Sequence, residues 1–174
     1  MDVYVLPNNK NIVMAAEQAA RLARTSGVRR IHVVPTTTIP QGISAMMAYD
    51  ESAEIKDNVE AMQEAASRVQ SGSVTFAARD SDYDGHQIKE GELLALENGK
   101  VAFTGTDLGS VTAKVAKDLM QEDSQFITLL YGADVSEEQA ADVEEAVRSL
   151  LPEEVELTVA YGGQPVYYFL ISVE

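Results

Sequence analysis

The sequence predicts an α/β protein with two lobes, residues 1–71 and 72–174. In the first lobe, a strand, a helix and a second strand follow one another closely, which is the pattern of a parallel βαβ unit. In the second lobe, apolar and polar residues alternate in several short runs, and Asn98-Gly99 separates two of these runs. Such a pattern, with two helices between the runs, is typical of a mixed, largely antiparallel sheet.

The elements of the first lobe are predicted from hydrophobic spacing and from the residues that begin and end helices. They are a strand at Val3–Leu6, a helix at about Ile12–Thr25 capped by Asn9 or Asn11, a strand at Ile31–Val34, a helical turn or two at Ile43–Tyr49, and a helix at about Ala53–Gln70 that ends at Ser71-Gly72. Because the chain opens almost in mid-strand, we expect it to be part of a longer polypeptide.

The second lobe is predicted from Ser73 onward, where alternation replaces the helical period, with Val74, Phe76 and Ala78 facing inward. The elements are a strand at Ser73–Arg79, a polar loop at Asp80–Glu92, a hairpin of Leu93–Glu97 and Lys100–Thr104, a helix at about Asp107–Gln121, a strand at Phe126–Tyr131, a helix at about Ser136–Leu151 with a capping box of Ser136 and Gln139, and strands at Val155–Tyr161 and Val166–Val173. Gly162-Gly163 is interpreted as a tight hairpin between the last two strands.

The composition excludes several classes of function. The 174 residues carry a net charge of −15, whereas nucleic acids and anionic membrane surfaces are bound by clustered lysine and arginine. There is no cysteine, and no apolar run is long enough to span a membrane. We therefore expect a cytoplasmic protein that neither binds nucleic acid nor inserts into a membrane. Its acidity suits either solubility or docking of a basic partner.

Polar side chains follow the two predicted parallel strands of the first lobe, at the edge where open α/β sheets bind ligands. These are the amides of Asn8, Asn9 and Asn11 after the first strand and the polar groups of Thr36, Thr37, Thr38 and Gln41 after the second. Hydroxyls, amides and a helix N-terminus together can hold a carboxylate or a phosphate. The same groups can instead cap helices and satisfy the loop backbone, so both interpretations stay open.

The sequence offers little for catalysis or metal binding. Asp80, Asp82 and Asp84 resemble the front of a calcium loop, but Gly91 stands where that loop requires glutamate. A solvated acidic turn is therefore the preferred interpretation. The two histidines are far apart in the chain, and neither a nucleophile elbow nor a phosphate loop is present. No catalytic residue, metal or cofactor is predicted for this chain.

Several longer stretches carry a resemblance to a known family. They are VYVLPNNKNIVMAAEQAA, VVPTTTIPQGISAMMAYD, VTFAARDSDYDGHQIKEGE, TLLYGADVSEEQA and GGQPVYYFLISVE, and they run the full length of the chain. Together they resemble the C-terminal domain of the bacterial fatty acid kinase family of FakA-like proteins, also described as dihydroxyacetone-kinase-related or DhaL-domain proteins. The resemblance implies a DegV/DhaK-like fold.

In that family, an upstream DhaL domain binds ATP and Mg²⁺ and phosphorylates a fatty acid presented by a separate DegV-family acyl-binding protein. The acyl phosphate product feeds phospholipid synthesis. The resemblance thus implies a non-catalytic domain that docks the acyl-binding protein, with ATP and Mg²⁺ held upstream and homodimer formation left open. The alternative is a small-molecule binding domain that holds a fatty acid or an anion between its lobes.

The resemblance also identifies a departure from the DegV pattern. DegV-type acyl-binding proteins carry a Thr-His-Val-Gly-Pro-Gly-type element before their last strands, and its histidine helps to close on the fatty acid head group. The matching region here, Ala160–Pro165, has no histidine. A bound carboxylate would lose a hydrogen bond worth about 1.5–3 kcal/mol. Gly162, Gly163 and Gln164 therefore complete the candidate site for a ligand or partner, and we expect ligand binding itself to have been lost.

Overall fold

The structure is a computed structural model that describes residues 2–27, 29–83 and 86–174. The chain divides into two compact units, Met1–Val69 and Gln70–Glu174. The first contains a parallel pair of strands joined by a helix, and the second contains a mixed, largely antiparallel sheet with two helices. The predicted α/β class and both kinds of sheet are confirmed.

The first unit is built on two parallel strands. Its elements are β1 (Asp2–Val5), α1 (Lys10–Ser26), β2 (Arg30–Val33), α2 (Ile39–Met47) and α3 (Ile55–Arg68). Asn9 caps α1, since its side-chain oxygen accepts a hydrogen bond from the Asn11 N–H at 2.9 Å. The buried core is small and consists of Val34, Ala45, Met62 and Ala66, with Tyr4 and Leu6 packed against it.

The second unit contains a six-stranded sheet and a short hairpin. Its elements are β3 (Gln70–Phe76), β4 (Ser81–Tyr83), β5 (His86–Ile88), β6 (Leu93–Glu97), β7 (Lys100–Gly105), α4 (Leu108–Leu119), β8 (Phe126–Tyr131), α5 (Glu137–Arg148), β9 (Glu156–Tyr161) and β10 (Phe169–Val173). The strand order is β7-β6-β3-β10-β8-β9, and only β8 and β9 are parallel. All five residues of β10 are buried between β3 and β8.

Two local predictions in the second unit are confirmed by their atoms. Asn98 and Gly99 have φ angles of 48° and 79°, as the hairpin between β6 and β7 requires. The Ser136 hydroxyl accepts from the Gln139 N–H at 3.2 Å, and the Gln139 side chain accepts from the Ser136 N–H at 3.0 Å. These two bonds form the predicted capping box of α5.

The prediction that Ser71-Gly72 ends a helix is wrong, because both residues lie inside β3. A Cβ on Gly72 would lie 2.5 Å from Val115 Cγ1, so the glycine lets α4 pack directly on the strand backbone. The predicted inward face of this strand is also wrong beyond Val74. Ala77 is buried, whereas Phe76 and Ala78 are exposed, because the strand ends at Phe76.

The interpretation of Gly162-Gly163 as a tight hairpin is wrong as well. β9 and β10 are not neighbours, since β8 lies between them. The N–H groups of Gly162 and Gly163 both donate to the Tyr131 carbonyl, at 2.9 and 3.2 Å. Residues 162–168 therefore cross over the end of β8, and the last strand begins at Phe169.

Glu97, at the end of β6, has one carboxylate oxygen that is buried and has no hydrogen-bond partner in the described part of the chain. Burial raises the pKa of Glu97, and the nearby Asp118 carboxylate adds to this effect, while Lys114 opposes it. The folded chain thus holds this proton more tightly than the unfolded chain does. The stability that Glu97 contributes is therefore present below its ordinary pKa and is lost as the pH rises through the raised value.

We expect Glu97→Gln to increase the free energy of unfolding at neutral pH and to change it little in acid, because only the ionised carboxylate is disfavoured by burial. Urea denaturation followed over a range of pH values measures the difference. Glu122→Gln, at an exposed position, is the matched control and should show no such pH dependence. An equal effect of Glu97→Gln at both ends of the pH range would contradict the assignment.

Candidate functional site

Asn8 and Thr36 join the loops that follow β1 and β2. The Thr36 hydroxyl donates to Asn8 Oδ1 at 2.7 Å and accepts from the Asn8 N–H at 3.2 Å. Thr36 is only 1% exposed, so Asn8 supplies the partners that its buried hydroxyl needs. Asn8 has a φ of 54°, in the left-handed region that asparagine tolerates better than most residues. The two loops are thus in direct contact.

Gly42, in the first turns of α2, leaves the space that the Asn8 side chain occupies. A Cβ on Gly42 would lie 2.1 Å from Asn8 Oδ1 and 2.6 Å from Asn8 Cγ. The helix α2 begins at Ile39, four residues before the predicted start at Ile43. The reason is that Thr38 caps the helix and Pro40 occupies its first turn, where a proline is tolerated.

Thr37, Thr38 and Gln41 form a closed set of hydrogen bonds at the start of α2. The Gln41 side-chain oxygen accepts from the Thr37 N–H at 2.8 Å and from the Thr37 hydroxyl at 2.9 Å. The Thr38 hydroxyl in turn accepts from the Gln41 N–H at 3.3 Å. A carboxylate or phosphate could reach the Thr37 donors only by displacing the Gln41 side chain.

The remaining predicted residues lie at two other places. Asn9 caps α1, and the exposed Asn11 follows it. In the second unit, the Gln164 side-chain amide donates to the Leu130 carbonyl at 2.8 Å, next to Gly162 and Gly163. These last three residues hold the crossover against the end of β8.

A strained residue in this crossover could not be inferred from the sequence. Val166 has a φ of 72°, which a β-branched side chain rarely adopts and which costs about 1–3 kcal/mol. The Thr75 hydroxyl donates to the Val166 carbonyl at 2.7 Å and so helps to fix this conformation. Val166 and Tyr167 both remain exposed.

A second feature that sequence reasoning missed is an exposed apolar surface on α2, here named the α2 face. It consists of Ile39, Ile43, Met46 and Met47, whose exposed fractions are 42, 42, 65 and 83%. Their spacing places them on one side of the helix, while Ala45 is fully buried on the other. The Ala/Met-rich pattern indicated a helix, but it could not indicate which side the rest of the chain would cover.

The candidate metal residues are placed only in part, since Asp84 lies outside the described residues. The Asp80 carboxylate accepts from the Glu90 N–H at 2.7 Å, and Lys89 Nζ lies 3.6 Å away. That hydrogen bond, followed by the charge of Lys89, lowers the pKa of Asp80. Asp82 lies in β4. Within the described ranges, no three histidine, aspartate or glutamate side chains are grouped closely enough to hold a metal ion.

Comparison with known proteins gives a match over the whole chain. The family of FakA-like C-terminal domains of fatty acid kinases matches residues 1–174. An uncharacterised protein of Staphylococcus haemolyticus is 41% identical over 170 residues, which cover 98% of this chain and 30% of that protein. The chain thus spans about a third of the length of the curated relatives that it matches.

Two solved structures have a similar fold at low sequence identity. Dihydroxyacetone kinase from C. freundii, in complex with AMP-PNP and Mg²⁺, has a TM-score of 0.72 at 15% identity, over 98% of this chain and 38% of that one. A DegV family protein from Corynebacterium glutamicum has a TM-score of 0.67 at 14% identity, over 99% of this chain and 74% of that one. The DegV/DhaK-like fold implied by the sequence is confirmed. In the described part of the chain, no helix has both the length and the apolar character that crossing a membrane requires.

Proposed function

The chain belongs to the family of FakA-like C-terminal domains of fatty acid kinases, and from this premise we propose that it docks a DegV-type acyl-binding protein for such a kinase. Phosphoryl transfer, with ATP and Mg²⁺, is then the task of an upstream DhaL domain in the same polypeptide. The acyl phosphate would supply phospholipid synthesis in the cytoplasm, where ATP is made. The observation that carries the proposal is the α2 face.

The α2 face has the properties of a docking surface. Four large apolar side chains lie exposed on a helix of 9 residues that contains no charged residue. Tyr49, just after the helix, is also exposed. Contiguous apolar surface on a soluble protein commonly marks an interaction site. Methionine adds a side chain that adapts to the shape of a partner.

The hydrogen bonds of the neighbouring loop support docking over the holding of a small ligand. Thr36, Thr37 and Gln41 already bond to groups of their own unit. A fatty acid head group would have to break these bonds before it could make its own, and the net gain would be small. The same bonds fix the start of α2 and so present its exposed side in one orientation, which reduces the entropy lost on association.

We expect Met46→Glu/Met47→Glu to weaken association with the DegV-family acyl-binding protein of the same organism by at least about tenfold, because charges would replace apolar contacts at the centre of the interface. Isothermal titration calorimetry with the purified proteins measures the affinity. Met14→Glu/Leu22→Glu is the matched control, since both residues are apolar and exposed on α1.

Equal losses in the two variants, or unchanged affinity after substitution on α2, would contradict docking through this face. Thermal unfolding of each variant separates lost contact from lost fold. Mass spectrometry of lipid extracted from the purified protein tests the alternative function, and a stoichiometric fatty acid there would favour ligand binding over docking. Homodimer formation is a separate expectation that sedimentation would test.

A further inference from the structure

The charge of the chain is divided very unevenly between the two units. Residues 1–69 contain 7 lysines and arginines and 8 acidic residues, whereas residues 70–174 contain 6 and 20. Within the nearly neutral first unit, four arginines fall between positions 21 and 30, at the end of α1 and the start of β2. A basic region thus stands out on an otherwise acidic protein.

A groove of about 310 Å³ lies beside these arginines. Its apolar lining is formed by Ala20 of α1, Ile31 and Val33 of β2, and Val59 of α3, and the last three are only half-buried. His32, Arg21, Arg24 and Glu17 supply its polar lining. The groove shares no residue with the α2 face or with the loops that meet at Asn8 and Thr36.

The groove runs along an open strand edge. Ile31, His32 and Val33 all line it, and successive side chains of a strand point to opposite faces, so the groove follows the edge of β2 rather than one face of the sheet. Among the described residues, β2 pairs with β1 alone. Every second residue of β2 therefore directs its N–H and C=O groups towards the groove, where an added strand could bond to them.

Two arginines beside this edge have no acidic partner. Arg21 and Arg24 are exposed, lie three residues apart on α1, and form no ion pair within the described ranges. Asp2, by contrast, is already used, because its carboxylate lies 2.9 Å from both Arg30 and His32. The edge is thus lined with unneutralised positive charge and suits an acidic segment.

The same charge argues against a second copy of this chain as the occupant. Two β2 edges placed together would bring Arg29 and Arg30 of one copy against those of the other, and like charges on paired strands repel. An acidic strand would instead find carboxylate partners in Arg21 and Arg24 and an apolar floor for the side chains between them.

We propose that the groove between α1 and β2 binds an extended acidic segment of a partner protein, which pairs with β2 as an additional strand. Carboxylates of the segment contact Arg21 and Arg24, and an alternating apolar side chain contacts Ile31, Val33 and Val59. This surface is distinct from the α2 face, so its failure in a test would leave the proposed docking function untouched.

The test uses a short synthetic peptide that alternates glutamate and valine, and a second peptide in which lysine replaces glutamate. The acidic peptide is expected to bind in titration calorimetry and to slow hydrogen exchange at alternate amides of β2, whereas the lysine peptide is expected to do neither. Arg21→Glu/Arg24→Glu should weaken binding by at least about tenfold. Lys10→Glu/Lys56→Glu changes the net charge equally, near helix N-termini that tolerate glutamate, and should retain binding.

Several outcomes would overturn the proposal. One is equal binding of both peptides, which would indicate apolar adhesion alone. Another is full competition by inorganic phosphate with no exchange protection along β2, which would indicate a small-anion site. A third is an Arg21→Glu/Arg24→Glu variant that is folded and binds as well as the parent. Absence of binding by the acidic peptide at millimolar concentration would equally rule the segment out.

Discussion

Gly132→Ala is expected to lower the free energy of unfolding of the second unit by about 3 kcal/mol. A Cβ at this position would lie 2.2 Å from the Tyr167 carbonyl oxygen and 2.6 Å from that of Gln164. Both are backbone atoms of the crossover, which cannot move aside as a flexible side chain could. The Gly132 N–H also donates to the Tyr168 carbonyl at 2.9 Å, so displacement of the crossover would break this bond as well.

Urea denaturation, followed by circular dichroism, measures this effect. Gly109→Ala is the matched control, because a Cβ there approaches no atom closer than 3.3 Å and alanine favours the helix α4. The control should be neutral or stabilising. A Gly132→Ala variant with an unchanged midpoint would mean that residues 164–168 do not cross β8 at this distance.

Gly42→Ala is expected to disrupt the contact between the two loops of the first unit. The new Cβ would fall 2.1 Å from Asn8 Oδ1, so the Asn8 side chain would have to leave. The buried Thr36 hydroxyl would then lose its acceptor, at a cost of about 1–3 kcal/mol. The greater helix propensity of alanine would return about 1 kcal/mol of this. The net result should be a destabilised first unit.

A double-mutant cycle with Asn8→Gly isolates this clash. Glycine at position 8 suits the positive φ and removes the side chain that the new Cβ would meet. In that background, Gly42→Ala should be neutral or stabilising, so the two substitutions should be strongly non-additive. Additive free energies of unfolding in urea would show that Gly42 and Asn8 do not compete for the same space.

The sequence predicted best those elements that local chemistry determines. β8, at Phe126–Tyr131, matches its predicted bounds, because a continuous apolar run is bounded on both sides by polar residues. Asn98-Gly99 and Ser136 with Gln139 were predicted correctly for a similar reason, since each motif carries its geometry in two to four adjacent residues. The start of α2 was missed because Pro40 was taken as a helix breaker, although a proline in the first turn loses no hydrogen bond.

The order of the strands could not be predicted in the same way. Nothing near Gly162 indicates that β9 will pair with β8 rather than with β10, since that choice depends on residues far away in the chain. The Asn8–Thr36 contact, by contrast, follows from the parallel pairing of β1 and β2, which brings the ends of both strands to one edge. Whether that edge binds a ligand stays a prediction. The α2 face depends on packing at the whole-unit level and has no local signal.

The position of β10 has a consequence for biosynthesis. This strand follows all others in the sequence, yet it lies in the middle of the six-stranded sheet and bonds to β3 on one side and β8 on the other. Until residues 169–173 have left the ribosome, β3, β6 and β7 form one partial sheet and β8 and β9 another, each with an open edge. The second unit therefore cannot close during translation of its first hundred residues. The nascent chain exposes those edges until its final strand is released.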